Sequence, residues 1–387
     1  MTNPGETGPA ETGPGGTGRG GTTTGERSTT EAHARSGLRV AVTGATGNVG
    51  TGVVERLATD ERVGSVVAIA RRPPDALPAK VEFRRADVAD DDMAPLFEGA
   101  DVVVHLAWLF QPTHRPMATW RANVEGSTRV FDAVSSAGVG ALVYASSVGA
   151  YSPGHGDVRV DESWPTHSVP TAAYGREKAY IERVLDAFEC RHPSVRVVRL
   201  RPAFTFKRAS ATQQRRLFAG PLLPGAVVAP GRLPAVPFPA GLRFQALHTD
   251  DVAEAYRLAV TGDARGPFNL AAEPVIDAAA VARALGSRTV PVPARSARAA
   301  LAAAWHARAV PAEPALFDLA MSLPLMATAR AREELGWEPR RTAEEALRDM
   351  LEGLAAGAGG QTPPLAADSV SGRAAELRTA LTAGDTP

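Results

Sequence analysis

The chain has 387 residues, 44% of them hydrophobic, and its 42 lysines and arginines balance its 42 aspartates and glutamates. A formal net charge of zero excludes a generic nucleic-acid binder and a polybasic membrane-surface protein, and no stretch approaches the roughly 18 consecutive apolar residues of a membrane span. The single cysteine, Cys190, excludes an internal disulfide framework and a cysteine-cluster metal site, and points to a reducing, cytoplasmic setting.

Residues 1–36 are Gly, Thr, Pro, Glu and Ser with few large apolar side chains. Such a segment buries too little surface to offset its ordering entropy, so a disordered tail is expected, and it has no apolar run of the secretory type. The folded part opens with a strand at 38–43 (LRVAVT), a glycine-rich turn and a helix over 49–58. Further strands are expected at 65–70, from 81, at 101–107, at 141–145 and at 195–200, with helices over 117–137 and 172–188. Continuous apolar strands alternating with helices specify a parallel sheet covered on both faces. This is an α/β, doubly wound Rossmann fold, which binds ligands at the carboxyl ends of its strands. We place this dinucleotide-binding core at 37–205. Residues 208–245 are rich in Pro, Gly, Leu and Phe with weak periodicity; 248–259 reads as a helix capped by Thr249 or Asp250, and 277–310 as alanine-rich helix. The region 206–358 is therefore expected to be a smaller C-terminal substrate-binding lid interleaved with late core elements. Residues 359–387 read as a flexible tail, with at most a short helix near 372–381.

The turn after the first strand reads Thr43-Gly44-Ala45-Thr46-Gly47-Asn48-Val49-Gly50. Glycines there let the backbone turn tightly and approach a pyrophosphate at a helix N-terminus, which makes this a dinucleotide-binding loop. The second strand ends in Arg71-Arg72, where a ribose-binding acid would mark an NAD site. Arginine suits a 2′-phosphate, so NADP is slightly favoured over NAD; the alternative is two solvated surface arginines. Asp87-Val88, at the end of the third strand, is placed either to contact the adenine or to make a plain turn.

Tyr174 and Lys178 are four residues apart in a helix and share a face. Ser146 and Ser147 end the fifth strand, where active-site groups gather. A tyrosine hydroxyl is a poor base at neutral pH, and a nearby ammonium would bring it closer to working pH. A serine hydroxyl would hold the substrate oxygen while hydride passes to a nicotinamide.

GATGNVG, DVVVHLA, VYASSVGAY, YGREK, RLRPAF, HTDDVAEA and LGWEPRRTAEEALRDM together resemble the extended short-chain dehydrogenase/reductases, the NAD-dependent epimerase/dehydratase group, across about residues 38–355. The resemblance implies that Tyr174 is the acid/base, that Lys178 orients the nicotinamide ribose, and that Ser147 touches the substrate. Ser147 is preferred to Ser146 because the family's catalytic hydroxyl stands four residues before the position taken by Tyr151. Asn123 resembles the helix asparagine that supports a proton-relay water, or is a polar residue of a helix face. Leu106-Ala107 and Pro202-Ala203-Phe204 resemble the backbone segments beside the cofactor. A homodimer through the long helices is a further implication.

Three departures matter. The ribose acid is missing. Val148-Gly149 follow Ser147 in place of the Asp-Glu pair of sugar-nucleotide dehydratases, which disfavours elimination chemistry. The chain after Pro202 reads Phe204-Thr205-Phe206-Lys207-Arg208 instead of a Tyr-Gly-Pro-like turn, although Lys207 and Arg208 remain placed for a substrate phosphate. Trp108, Phe110 and His114 line a pocket or pack a loop; His105 reads as a sheet residue, His248 as structural and Cys190 as unreactive. No metal cluster is visible. The function expected is NAD(P)-dependent oxidoreductase or epimerase chemistry on a carbinol or carbonyl of a small molecule, a nucleotide sugar among the options. The alternative is a non-catalytic NAD(P)-binding sensor on the same fold.

Overall fold

The computed structural model describes residues 37–110, 116–154, 156–218 and 229–367. Its strands are β1 (Leu38–Thr43), β2 (Val63–Ala70), β3 (Val81–Arg85), β4 (Val102–His105), β5 (Ala141–Ala145), β6 (Arg159–Val160), β7 (Arg196–Pro202) and β8 (Phe204–Phe206). They continue with β9 (Ala235–Pro239), β10 (Phe244–His248), β11 (Gly266–Leu270), β12 (Ala272–Ile276), β13 (Arg288–Val292) and β14 (Leu325–Met326). The helices are α1 (Asn48–Thr59), α2 (Ala94–Phe97), α3 (Pro116–Thr119), α4 (Gly126–Ser136), α5 (Ala173–Arg191) and α6 (Ala211–Phe218). After them come α7 (Thr249–Thr261), α8 (Ala278–Leu285), α9 (Ala294–His306), α10 (Pro314–Ser322), α11 (Ala329–Leu335) and α12 (Ala343–Ala355).

Seven strands form one all-parallel sheet in the order β11-β7-β5-β4-β1-β2-β3. The alternation of side chains explains why it is covered on both faces. Val40, Val42, Val66, Val102, Val104 and Val143 point to one core with residues of α1 and α7. Ala41, Val67, Ile69, Val103 and Leu142 point to a second core with residues of α2, α4 and α5. Each large aliphatic side chain so buried contributes about 1.5–3 kcal/mol. The chain order reverses between β1 and β4, whose register sets Thr43 beside His105. That is the switch point at which such sheets bind ligands.

The late strand β11 joins the edge of this sheet beside β7, so the region after 205 does contribute to the core. The remainder builds smaller units: a sheet β12-β10-β8 and the pairs β13-β9 and β14-β6.

Several details differ from the sequence expectations. The helical run expected at 117–137 is continuous, but Trp120–Glu125 form a π-helical segment between α3 and α4. Such segments recur at functional sites. The N-cap of α7 is His248, whose Nδ1 accepts from the Asp250 N–H at 3.1 Å, not Thr249 or Asp250. The alanine-rich region 277–310 is broken by β13, because Pro291 cannot sit in a helix interior and β9 offers a parallel partner. Residues 359–367, expected to belong to a flexible tail, are packed on the folded part. Residues up to 367 are described: Leu365 is 2% exposed, and Arg216 donates to the carbonyls of Pro364 and Ala366. One buried leucine and these backbone contacts hold a segment whose composition alone suggests disorder. The N-terminal tail 1–36 and the helix near 372–381 lie outside the described residues. No helix of the described residues is long and apolar enough to cross a membrane.

Candidate active site

The glycine loop at the end of β1 is a close-packed backbone cradle. Gly44 has φ +71°, and a Cβ there would lie 2.6 Å from the Ala107 N and 2.7 Å from the Leu106 carbonyl carbon. Leu106 and Ala107 are thus the floor of the loop, bonded to Thr43 through the Leu106 N–H at 3.1 Å. Gly50 lets the first turn of α1 sit against Gly44 and Ala45, where a Cβ would meet the Gly44 carbonyl oxygen at 2.2 Å. Gly47 caps α1 without a side-chain bond, and the first turn has no acid to repel an anion. Asn48 Oδ1 is buried without a partner. Val49 packs on the core, and the Thr46 carbonyl accepts from the Thr362 hydroxyl at 2.8 Å. An uncapped helix start, backbone glycines and an orphaned amide oxygen fit the phosphates and hydroxyls of a dinucleotide.

Tyr174 opens α5 and lies close to Ser147: a Cβ on Gly149 would meet Tyr174 Cε1 at 2.8 Å and Ser147 Oγ at 3.4 Å. Ser147 is buried at the cap of a short 3-10 turn, its Oγ accepting from the Gly149 N–H at 3.0 Å. Burial pushes the Tyr174 phenol up to about 12, against the lowering effect of the nearby Ser147 hydroxyl. The ammonium of Lys178 does not reverse this. Its Nζ donates to the Ala145 carbonyl at 2.6 Å and stands 3.3 Å over the Trp108 ring. Desolvation holds Lys178 well below the usual lysine range.

Ser146 does something else. Its Oγ donates to Glu182 Oε1 at 2.5 Å. Glu182 is fully buried and also receives Nε and a terminal nitrogen of Arg201, each at 2.9 Å, and Arg199 at 2.9 Å. Burial raises the Glu182 carboxyl, but the Arg201 and Arg199 guanidinium groups outweigh it and hold it at about 2. The adjacent serines therefore divide between a framework ion cluster and the tyrosine.

Asn123 lies in the π-helical segment, 1% exposed. Its Oδ1 accepts from the Leu109 N–H at 2.7 Å, and its Nδ2 donates to Glu177 Oε2 at 2.7 Å and to the Leu109 carbonyl at 3.1 Å. Glu177 Oε1 accepts from Thr119 at 2.6 Å, and burial raises this carboxyl above the usual range. Sequence reasoning overlooked Glu177, although it stands three residues after Tyr174 on the face that also carries Lys178. Tyr174, Trp108, Phe110, Trp305, Glu177 and Glu313 line a cavity of about 320 Å³. Phe110 meets Tyr174 edge-on at 4.6 Å. The cavity therefore combines aromatic walls with two carboxyl groups, and burial raises Glu313 as well.

The other expected residues fall around this centre. Arg71 and Arg72 are exposed at the end of β2, with Arg71 3.8 Å from Asp87. Asp87 also accepts from the Ala89 N–H at 3.0 Å, while Val88 is buried against Gly126. Pro202 pairs with Leu270 at the sheet edge, and the Phe204 ring packs on Phe244 at 5.0 Å. His105 bonds Thr43 and Ser127 inside the sheet, and burial lowers it to about 3. Cys190 is free and exposed. His114 lies outside the described residues. Among the described residues no cluster is placed to hold a metal ion.

A profile of the NAD dependent epimerase/dehydratase family matches residues 40–271, more than half of the chain. The chain belongs to the NAD dependent epimerase/dehydratase family. An uncharacterized protein of Mycobacterium tuberculosis is 30% identical over 319 residues, covering 81% of this chain; the chain spans only 30% of that relative's length. A UDP-glucose 4-epimerase of Streptomyces lividans is 30% identical over 241 residues, 57% of this chain and 70% of the relative. Among solved structures, UDP-glucose 4-epimerase from Thermotoga maritima with UDP-glucose superposes with a TM-score of 0.62 at 20% identity. It covers 81% of this chain and 98% of that one, which shows the shared fold.

Proposed function

We propose that this protein is an NAD(P)-dependent oxidoreductase or epimerase acting at a carbinol or carbonyl carbon of a small, sugar-like molecule. The observation that supports this is Tyr174 lining a cavity, on the helix face that also carries Lys178, with Ser147 close by and both within reach of Gly149. The cradle residues Gly44 to Gly50, with Leu106 and Ala107 beneath, would hold the dinucleotide. When bound, its nicotinamide supplies the hydride acceptor or donor.

Tyr174 holds the proton that must move. Raised by burial, it is a phenol at neutral pH, ready to donate to a carbonyl oxygen that Ser147 also contacts. Lys178 is the nearest cation on the same helix face and would favour the phenolate when it turns from the Ala145 carbonyl toward the tyrosine. Glu177 holds Asn123, whose amide also engages the Leu109 backbone at the cavity wall and whose Oδ1 keeps a second lone pair for a relay water. Substrate candidates come from the relatives: UDP-glucose, from the epimerases, and a free pentose, from an L-arabinose 1-dehydrogenase of Haloferax volcanii that is 38% identical over 110 residues, covering 28% of this chain and 41% of that protein.

The test is Tyr174→Phe. Nicotinamide fluorescence should show unchanged NAD(P)H binding, and turnover of whichever sugar proves active should fall by about 100-fold or more. Unchanged turnover would remove Tyr174 from the reaction, and an absence of dinucleotide binding in the native protein would remove the function itself.

A further inference from the structure

We propose that Lys207 is a phosphate-binding residue of the dinucleotide site, meeting the cofactor's pyrophosphate at the first turn of α1. The proposal rests on the dinucleotide reading above.

Sequence position suggested a role toward a substrate phosphate, because Lys207 follows the strand that leads into the lid. The side chain goes elsewhere. Its Nζ donates to the Asn48 carbonyl at 2.6 Å and to Thr51 Oγ1 at 2.9 Å. Both acceptors belong to the first turn of α1, next to the glycine cap. The backbone at this position is pinned, since the Lys207 carbonyl accepts from the Ser210 N–H at 3.1 Å and from Ser210 Oγ at 3.0 Å. The neighbouring Arg208 N–H is held by Asp349 at 2.7 Å, and the Arg208 side chain lies 3.7 Å from Glu352. Arg208 thus serves the packing of α12, and only Lys207 turns toward the loop.

The electrostatics at Lys207 are incomplete. An ammonium has three donors, and two are used. Among the described residues no carboxylate comes within 4 Å to form an ion pair with it. It sits at the positive end of a twelve-residue helix, where a cation is disfavoured and an anion favoured. That end has no side-chain cap and no acid in its first turn. Burial also lowers the lysine from its usual value, only partly offset by the more distant carboxylates of Asp250 and Glu55. An anion seated on the loop neutralises the helix end and the ammonium together. The pyrophosphate of a dinucleotide is the anion that this loop is shaped to approach.

The experiment is calorimetric titration with ADP-ribose, which keeps the pyrophosphate and lacks the nicotinamide, and separately with UDP. It compares native protein with Lys207→Met and Lys207→Arg. Lys207→Met should weaken ADP-ribose fivefold or more, and Lys207→Arg should stay within threefold of native. Should Lys207→Met melt below the assay temperature, Lys207→Gln takes its place under the same criterion. A weakening below fivefold, an equal loss in Lys207→Arg, or a loss confined to UDP overturns the proposal. If the native protein fails to bind ADP-ribose, this proposal and the dinucleotide reading fall together. If it binds and Lys207→Met matches it, only the role of Lys207 falls.

Discussion

Arg71 ends β2 with half of its side chain exposed and a carboxylate, Asp87, 3.8 Å away. An exposed pair of that length contributes little to stability. Its consequence is for selectivity: a guanidinium at the strand tip can take a 2′-phosphate with charge-assisted bonds worth about 1.5–3 kcal/mol. Arg71→Ala should therefore weaken NADPH roughly tenfold more than NADH in fluorescence titrations. Equal losses would leave Arg71 as a surface residue and the preference for NADP without support. At this scale the sequence is most readable where partners are close along the chain. Tyr174 and Lys178 stand one helical turn apart, so their common face follows from spacing. Glu177 shares that face, but its meaning comes from Thr119 and Asn123, which are 58 and 54 residues away. The different tasks of Ser146 and Ser147 likewise depend on Glu182 and Tyr174, whose approach only the tertiary fold sets.

Among the elements, α5 carries the most. Its first two turns present Tyr174 and Lys178, and its middle is stapled to β7 by Glu182 between Arg199 and Arg201. The staple fixes the helix that aims the tyrosine. The Glu182 carboxyl titrates at about 2 in the folded chain against an ordinary 4.5. Its stabilisation is complete above about pH 4.5 and is lost as pH falls toward 2, an effect on the order of 3 kcal/mol. Glu182→Gln should be destabilised by about 3–5 kcal/mol at pH 7, since it leaves two buried guanidinium groups uncompensated. In denaturant titrations its gap to the native protein should narrow between pH 5 and pH 3. A gap independent of pH would show that Glu182 acts by shape and not by charge. Elements with strong periodicity, the valine-rich strands above all, could be placed from their residues. The strands β9 and β13 could not: AVPFP and RTVPV each contain prolines, which remove ladder donors, and they form a strand pair only because each supplies the other.

Taken whole, the molecule is closed by contacts between distant parts of the chain. The segment ending at residue 367 docks on α6 through Arg216 and reaches the glycine loop through Thr362. Thr362→Val keeps the side-chain shape and removes the bond to the Thr46 carbonyl. We expect a stability change of about 1 kcal/mol, a severalfold loss of ADP-ribose affinity, and faster amide hydrogen exchange confined to residues 44–48. Exchange unchanged at the loop would mean that the contact lends it no order.

That contact joins residues 316 positions apart. The loop follows the first strand, while its support lies beyond α12. A nascent chain that has already completed β7 carries every glycine of the cradle and still lacks the threonine that braces it. The order of this loop, as far as Thr362 supplies it, is thus set by the late part of the folded chain.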